Sequence, residues 1–348
     1  MKRGGTGRLA ACLAALSLLA QALGGCAAWD ARALPPPAPV PAAAPPSSPA
    51  TPVVPAPEAC LSSARVLALQ IGLDRLNFSP GCLDGRWGGQ TRMALEAWQE
   101  SAGEEATGVA TDAIYGRLTP AAPLATCTVT EEDHGARTAI PAVWLDRAKM
   151  PRLGHETILE MVAERYHASE ACVRELNPEA AWPDPPAGST LAVPDIKPAS
   201  RARAARLEVN LGRKFVRAYD EQGRLVAHFP CSIAKLKQKR PRGETTVVSV
   251  AGNPVYTFDP ALFSDDPAAL GLTGKLIIQA GPNNPVGAAW VGLALPGYGI
   301  HGTPWPEDIG KTASHGCIRL ANWNAMKLVH MVRSGIPVRF IGLGEAEP

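Results

Sequence analysis

Three side chains with nucleophile chemistry stand close together in this 348-residue chain. His301, His315 and Cys317 fall within seventeen residues, in Gly299-Ile300-His301-Gly302-Thr303 and Ser314-His315-Gly316-Cys317-Ile318-Arg319. A free thiol, with a pKa of about 8.5, is only a few per cent ionised at neutral pH. A neighbouring imidazole can take its proton and later return one to a leaving amine. His315 lies two residues before Cys317, so an extended segment points both to one face. His301 reaches the thiol only from a neighbouring strand, and spacing alone leaves open which imidazole is the base. Such chemistry needs no cofactor and no metal, and none is expected. A zinc site of His301, His315 and Cys317 would lack a Cys-x-x-Cys pair and an evident fourth ligand. A redox pair of Cys317 with Cys231 is a further alternative.

Strands must position these groups. Residues 206–211 and 214–219 alternate apolar and polar, with a turn at Asp220-Glu221-Gln222-Gly223. Segments 225–233, 245–250, 275–279, 289–295 and 338–341 add strands. One helix interrupts them, with Asn322 as its cap, Ala325, Leu328, Val329 and Val332 as its apolar face, and Gly335 and Pro337 ending it. This predicts a mainly-β catalytic domain over 201–343, a β-sandwich or barrel-like double sheet with one packed helix.

Ahead of it the period is helical. Val66, Leu69, Leu73 and Leu76 mark one buried helix face, Thr91 reads as the cap of a second helix carrying Leu95 and Trp98, and Thr111 to Leu118 form a short third. Residues 59–120 are therefore expected as a small all-α three-helix unit. Residues 121–200 are expected as a small α+β unit, with one amphipathic helix from Glu156 to Val173 and a strand at Gly188–Pro194. His134, His155 and His167 lie in polar surroundings and receive no role.

The first sixty residues read as delivery. Lys2, Arg3 and Arg8 precede a short apolar run, Leu9 to Leu23, which predicts a signal peptide over 1–25. Residues 26–58 are a linker rich in Pro and Ala, able to hold a folded domain roughly 80 Å from an anchor if extended. Lys and Arg number 34 against 32 Asp and Glu, so no basic footprint suggests a nucleic-acid partner. Cys60, Cys82, Cys127, Cys172 and Cys231 are an odd set, which leaves at least one thiol free. Cys60 and Cys127 bracket the first folded unit and could staple its ends, with Cys82 as rival partner, and the sequence leaves the pairing open.

Four resemblances narrow the reading. Leu23-Gly24-Gly25-Cys26 resembles the lipobox of bacterial lipoproteins, which implies lipid on Cys26 and attachment to a membrane. Val66-x-x-Leu69-Gln70, Pro80-Gly81-x-x-Asp84-Gly85-x-x-Gly88-x-x-Thr91 and Ala94-Leu95-x-x-Trp98-Gln99 resemble the type 1 peptidoglycan-binding domain; a purely structural three-helix unit is the alternative. Ala163-Glu164-Arg165-Tyr166-His167, Leu176-Asn177-Pro178 and Pro186-Ala187-Gly188 resemble a divergent LysM repeat, with a packing module as the alternative. His301-Gly302-Thr303 followed by Ser314-His315-Gly316-Cys317-Ile318-Arg319, with Gly281-Pro282-Asn283-Asn284-Pro285-Val286-Gly287 ahead, resembles the L,D-transpeptidase (YkuD-type) signature.

That last resemblance implies Cys317 as nucleophile and His301 as general acid/base, its tautomer held by the Gly302 carbonyl. His315 would support the site, Gly316 and Cys317 N–H groups would form an oxyanion hole, and Arg319 would pin the loop or meet a substrate carboxylate. The implied activity is transfer between peptidoglycan stem peptides, a tetrapeptide donor giving a 3-3 cross-link in the cell envelope. Water as acceptor would make an L,D-carboxypeptidase or cross-link hydrolase, and a protein lysine would make a lipoprotein-attaching enzyme. A non-catalytic peptidoglycan-binding scaffold is the reading of another class. Two positions depart from the family pattern: the basic segment 234–243, and Asn324 where an Asp is commoner. Both are expected to bear on substrate preference.

Overall fold

Three helices form where apolar residues recur at helical spacing: α1 (Ser63–Arg75), α2 (Gly89–Ser101) and α3 (Asp112–Leu118). The computed structural model describes residues 62–198, 202–262, 269, 271–311 and 316–342. The signal segment, Cys26, the Pro/Ala-rich linker, Cys60, Ser314 and His315 lie outside the described residues. Ser62 and Thr111 cap α1 and α3 through their hydroxyls. The cap of α2 is Gly88, not Thr91. Thr91 instead sits inside the first turn, where its hydroxyl accepts a hydrogen bond from Gln70 Nε2 at 3.1 Å. Leu69, Leu73, Leu95, Trp98, Ile114 and Leu118 form the core of this part.

The next stretch builds a two-stranded antiparallel sheet of β1 (Leu124–Thr128) and β2 (Thr190–Pro194), with α4 (Glu131–Gly135), α5 (Trp144–Arg147), α6 (Ile158–Arg165) and α7 (Glu170–Leu176) between them. The single helix expected over 156–173 is two. The break is His167, at φ +56°. There its carbonyl accepts the Leu83 N–H at 2.8 Å and its ring meets the Asp74 carboxylate at 2.8 Å. The apolar period runs through the break because Ile158, Leu159, Val162 and Val173 all bury in one cluster, which also takes Leu67 and Ile71 from α1. Helix α1 therefore has two buried faces and joins the two parts.

The remainder folds as β3 (Arg206–Asn210), β4 (Phe215–Tyr219), β5 (Leu225–Pro230), β6 (Gly243–Gly252), β7 (Tyr256–Phe258), β8 (Leu276–Ile278), β9 (Ala289–Leu293), β10 (Gly299–His301), β11 (Ile318–Arg319), α8 (Asn322–Met331) and β12 (Pro337–Ile341). Eight of these strands make one sheet in the order β11-β10-β9-β6-β12-β3-β4-β5, and β7 pairs with β8. The expected double sheet is thus one curled sheet. Its ends meet where Ser232, just past β5, exchanges both backbone hydrogen bonds with Arg319 of β11, each 2.9 Å. Inward residues such as Val209, Phe229, Val291, Ile300 and Ile318 pack against Leu328 of α8. The cap of α8 is Ala321; Asn322 is its first residue, makes no capping bond, and holds the 279–288 loop at two points instead.

Polar contacts tie these parts together within one compact unit. Lys327 of α8 donates to the wholly buried Asp74 carboxylate, and Trp323 stacks on His167 with ring centroids 5.2 Å apart. Gln90 Nε2 donates to the Ile309 carbonyl at 2.8 Å, and Arg217 pairs with Glu100 at 2.9 Å. Asn324, expected to bear on substrate preference, is fully buried and donates to Ser79 Oγ at 2.9 Å, at the contact with the helical part. Among the described residues Cys82, Cys127, Cys172 and Cys231 are thiols, and Cys82 is not bridged to Cys127.

Candidate active site

Two very short parallel strands carry the chemistry. In β10 and β11 Ile300 pairs with Ile318 and His301 with Arg319. Both isoleucines point into the core. Alternation then puts His301, Arg319 and Cys317 on the opposite face, with Cys317 immediately before β11 and level with Gly299. Cys317 is half-buried, and its thiol donates to the Gly297 carbonyl at 3.5 Å. Burial pushes the thiol up, partly offset by the Gly299 backbone hydrogen bond and the Arg319 charge.

His301 is buried, and its Nδ1 lies 2.7 Å from the Gly302 carbonyl. A carbonyl only accepts, so Nδ1 carries the proton and the lone pair lies on Nε2. Burial pushes the imidazole down to about 4, against the pull of the Gly302 and Val286 carbonyls and with a further push from Arg319. The ring is therefore neutral at pH 7. Trp290, opposite His301 on β9, stacks on it with centroids 5.7 Å apart. Gly299 makes room for that indole, because a Cβ there would lie 2.6 Å from its ring.

Tyr256 of β7 completes the setting. Burial, then Cys317 and Asp259, push its phenol up to about 12. Arg319 is lowered by burial and supported by Cys317, Asp308 and Tyr256, so these groups share one neighbourhood. Ser232 holds the approach loop: its hydroxyl accepts from the Gly310 N–H at 2.9 Å.

Of the residues singled out from sequence, the structure gathers Cys317, Gly316, Arg319, His301 and Gly302; His315 lies outside the described residues. Cys231, the alternative redox partner, is wholly buried in the core of the sheet. Trp290 and Tyr256 escaped sequence reasoning, and Asn322 was read only as a helix cap. A partial signal existed for Trp290: it stands among the small residues Gly287, Ala288, Ala289 and Gly292, where a lone large ring has space.

Residues 204–339 match the family model of the L,D-transpeptidase catalytic domain, YkuD. This is an L,D-transpeptidase domain. Residues 62–118 match the peptidoglycan binding domain. A Bacillus licheniformis protein named as the L,D-transpeptidase YkuD is 29% identical over 180 residues, 52% of this chain and 91% of that one. A protein of Escherichia coli K12 that carries the name probable L,D-transpeptidase YbiS is 29% identical over 191 residues, 54% of this chain and 61% of that protein. Among solved structures, an L,D-transpeptidase from Xylanimonas cellulosilytica overlays with a TM-score of 0.33 at 19% identity, covering 79% of this chain and 92% of the other. The L,D-transpeptidase domain thus includes every described element from β3 to β11 and α8, and β12 to Arg339.

Proposed function

We propose that Cys317 is an acyl-transferring nucleophile acting on peptidoglycan stem peptides. The observation that carries this is the Nδ1–H donation from His301 to Gly302, which leaves Nε2 as a base on the strand beside the thiol. Nε2 takes the Sγ proton as sulfur attacks the carbonyl between meso-diaminopimelate and D-alanine of a donor tetrapeptide. A C–S bond forms. The tetrahedral oxyanion is met by N–H groups of Gly316 and Cys317. The C–N bond then breaks, the imidazolium gives its proton to the leaving nitrogen, and D-alanine departs. An acceptor stem's amine reverses the sequence, producing the 3-3 cross-link and freeing the thiol. Arg319 keeps a positive charge beside the sulfur and pins the loop or meets a substrate carboxylate, and His315 would support the site. The raised thiol and the neutral imidazole fit a pair that transfers its proton only during attack.

The same reading makes the protein an exported one, lipid-anchored through Cys26 in the cell envelope. The helical domain over 59–120 and the LysM-like module over 121–200 would bind the wall ahead of the catalytic domain over 201–343. No helix among the described residues is long and apolar enough to cross a membrane.

Incubating the mature protein with disaccharide tetrapeptides and analysing products by mass spectrometry tests this. Cross-linked dimers that vanish in Cys317→Ala support it; tripeptide without dimers means water is the acceptor. Unchanged dimer formation in Cys317→Ala would sink the proposal.

A further inference from the structure

Asn322 is a wedge between the loops that set the base. It is 1% exposed, and its Oδ1 accepts the Ala288 N–H at 2.9 Å while its Nδ2 donates to the Pro282 carbonyl at 3.1 Å. The oxygen fills space that two glycines leave open: a Cβ on Gly302 would come within 2.2 Å of it, and one on Gly287 within 2.0 Å. Gly302 is the residue whose carbonyl holds His301. A displaced Asn322 therefore displaces the anchor of the imidazole.

The remaining bond of that amide comes from outside the L,D-transpeptidase domain. Asn322 Nδ2 donates to Glu164 Oε2 of helix α6 at 2.7 Å. A carboxylate only accepts, so Glu164 joins the Pro282 carbonyl in holding the nitrogen end of the amide, which keeps Oδ1 towards Ala288. His155 Nε2 lies 3.5 Å from the other oxygen, Oε1. One turn earlier on the same helix face, Glu160 Oε1 accepts from Asn283 Nδ2 at 2.7 Å. Asn283 belongs to the same glycine-containing loop, where a Cβ on Gly281 would lie 1.9 Å from the Leu153 carbonyl of the middle module. Two amides of the catalytic domain thus end on two carboxylates of α6.

We infer that α6 of the middle module belongs to the catalytic apparatus, with Glu164 a positioning residue that holds His301 in place through Asn322 and Gly302. The inference rests on His301 as the base. Glu164 acts by reach and by accepting, not by its charge on the ring, and this sets what substitution should do.

The test measures kcat, KM and the pH profile of dimer formation in the full chain for Glu164→Ala, Glu164→Asp and Glu164→Gln, with His301→Ala alongside and thermal melting for each. Glu164→Ala and Glu164→Asp should each lose about 10-fold in kcat, with KM within about 2-fold. Glu164→Gln, uncharged but with an accepting oxygen at the same reach, should recover to within about 3-fold of the parent. If Glu164→Ala does not fold, the contrast between the Asp and Gln variants still decides. Parental kcat in Glu164→Asp, or a Gln variant as poor as the Asp one, overturns the inference even when His301→Ala is inactive. An active His301→Ala overturns the base assignment, and the inference with it.

Discussion

Lys327 donates to both the carboxylate and the backbone carbonyl of Asp74, each at 2.8 Å, joining the helix after the thiol to α1. Asp74 is wholly buried, and His167 contributes the second partner of its carboxylate. Lys327 and His167 hold the Asp74 carboxyl well below the ordinary carboxylate range despite its burial. Asp74→Asn leaves a mostly buried ammonium without its counter-ion. It should destabilise the protein by about 3–5 kcal/mol. Asp74→Leu combined with Lys327→Met should recover most of that, as read from denaturant midpoints. If Asp74→Asn unfolds at the parental midpoint, the three parts are not held together by this node.

Acid should weaken the fold through its buried imidazoles. Burial pushes His301 down to about 4 and His228 down to about 3, both from an ordinary 6.5. Between those values the unfolded chain binds protons that the folded chain refuses. Stability is therefore full above about pH 6.5 and declines as pH falls through that window. His228, whose ring nitrogens have no hydrogen-bond partner, makes the cleaner probe. His228→Leu should flatten the slope of melting temperature against pH between about 6.5 and 4. A slope identical to the parent's would refute the assignment.

Activity should follow a different limit. With His301 neutral down to about 4, the acid limb of kcat/KM in free enzyme should fall near there rather than near 6.5. An acid limb at 6.5 would mean that the base is solvated, contrary to the burial of His301.

Gly302→Ala tests the wedge from the other side. Its Cβ would sit 2.2 Å from Asn322 Oδ1 and 3.1 Å from the Ala288 nitrogen. Dimer formation should drop about 100-fold. Melting should fall by only a few degrees, since one side chain can shift. Full activity in this variant would show that the anchoring carbonyl tolerates movement.

The basic segment 234–243 borders the site through Tyr298, whose hydroxyl donates to the Lys239 carbonyl at 3.0 Å and whose ring lies 3.9 Å from a Cβ placed on Gly316. Lys235, Lys237 and Lys239 are exposed. A donor stem is anionic, so replacing all three with Gln should raise KM several-fold at low salt and leave kcat alone. The difference should close by about 0.5 M salt, where screening reaches a few Å. A KM gap independent of salt would remove charge attraction from the explanation.

Much of the architecture was legible from residue pattern. The strands β3 and β4 lie where the alternation put them, β5 lies within the expected segment 225–233, and the short third helix lies within the expected Thr111 to Leu118. The double sheet was misread because the closing contact is a single residue pair, Ser232 with Arg319. Strands of three and two residues, as in β10 and β11, have no period to detect. Their motif was visible, but the Glu164 contact to Asn322 was not: it joins residues 158 positions apart on two different modules. His167 broke a helix because its ring and carbonyl were needed elsewhere, which local propensity does not encode.

The join between Ser232 and Arg319 puts a seam in the barrel two residues from the thiol. An open seam would present unpaired edge strands, the common template for association with other chains. Opening would also part β11 from its support. Opening this seam would therefore loosen the strand that follows the thiol and bare a sheet edge together, so that inactivation and self-association would share one first step.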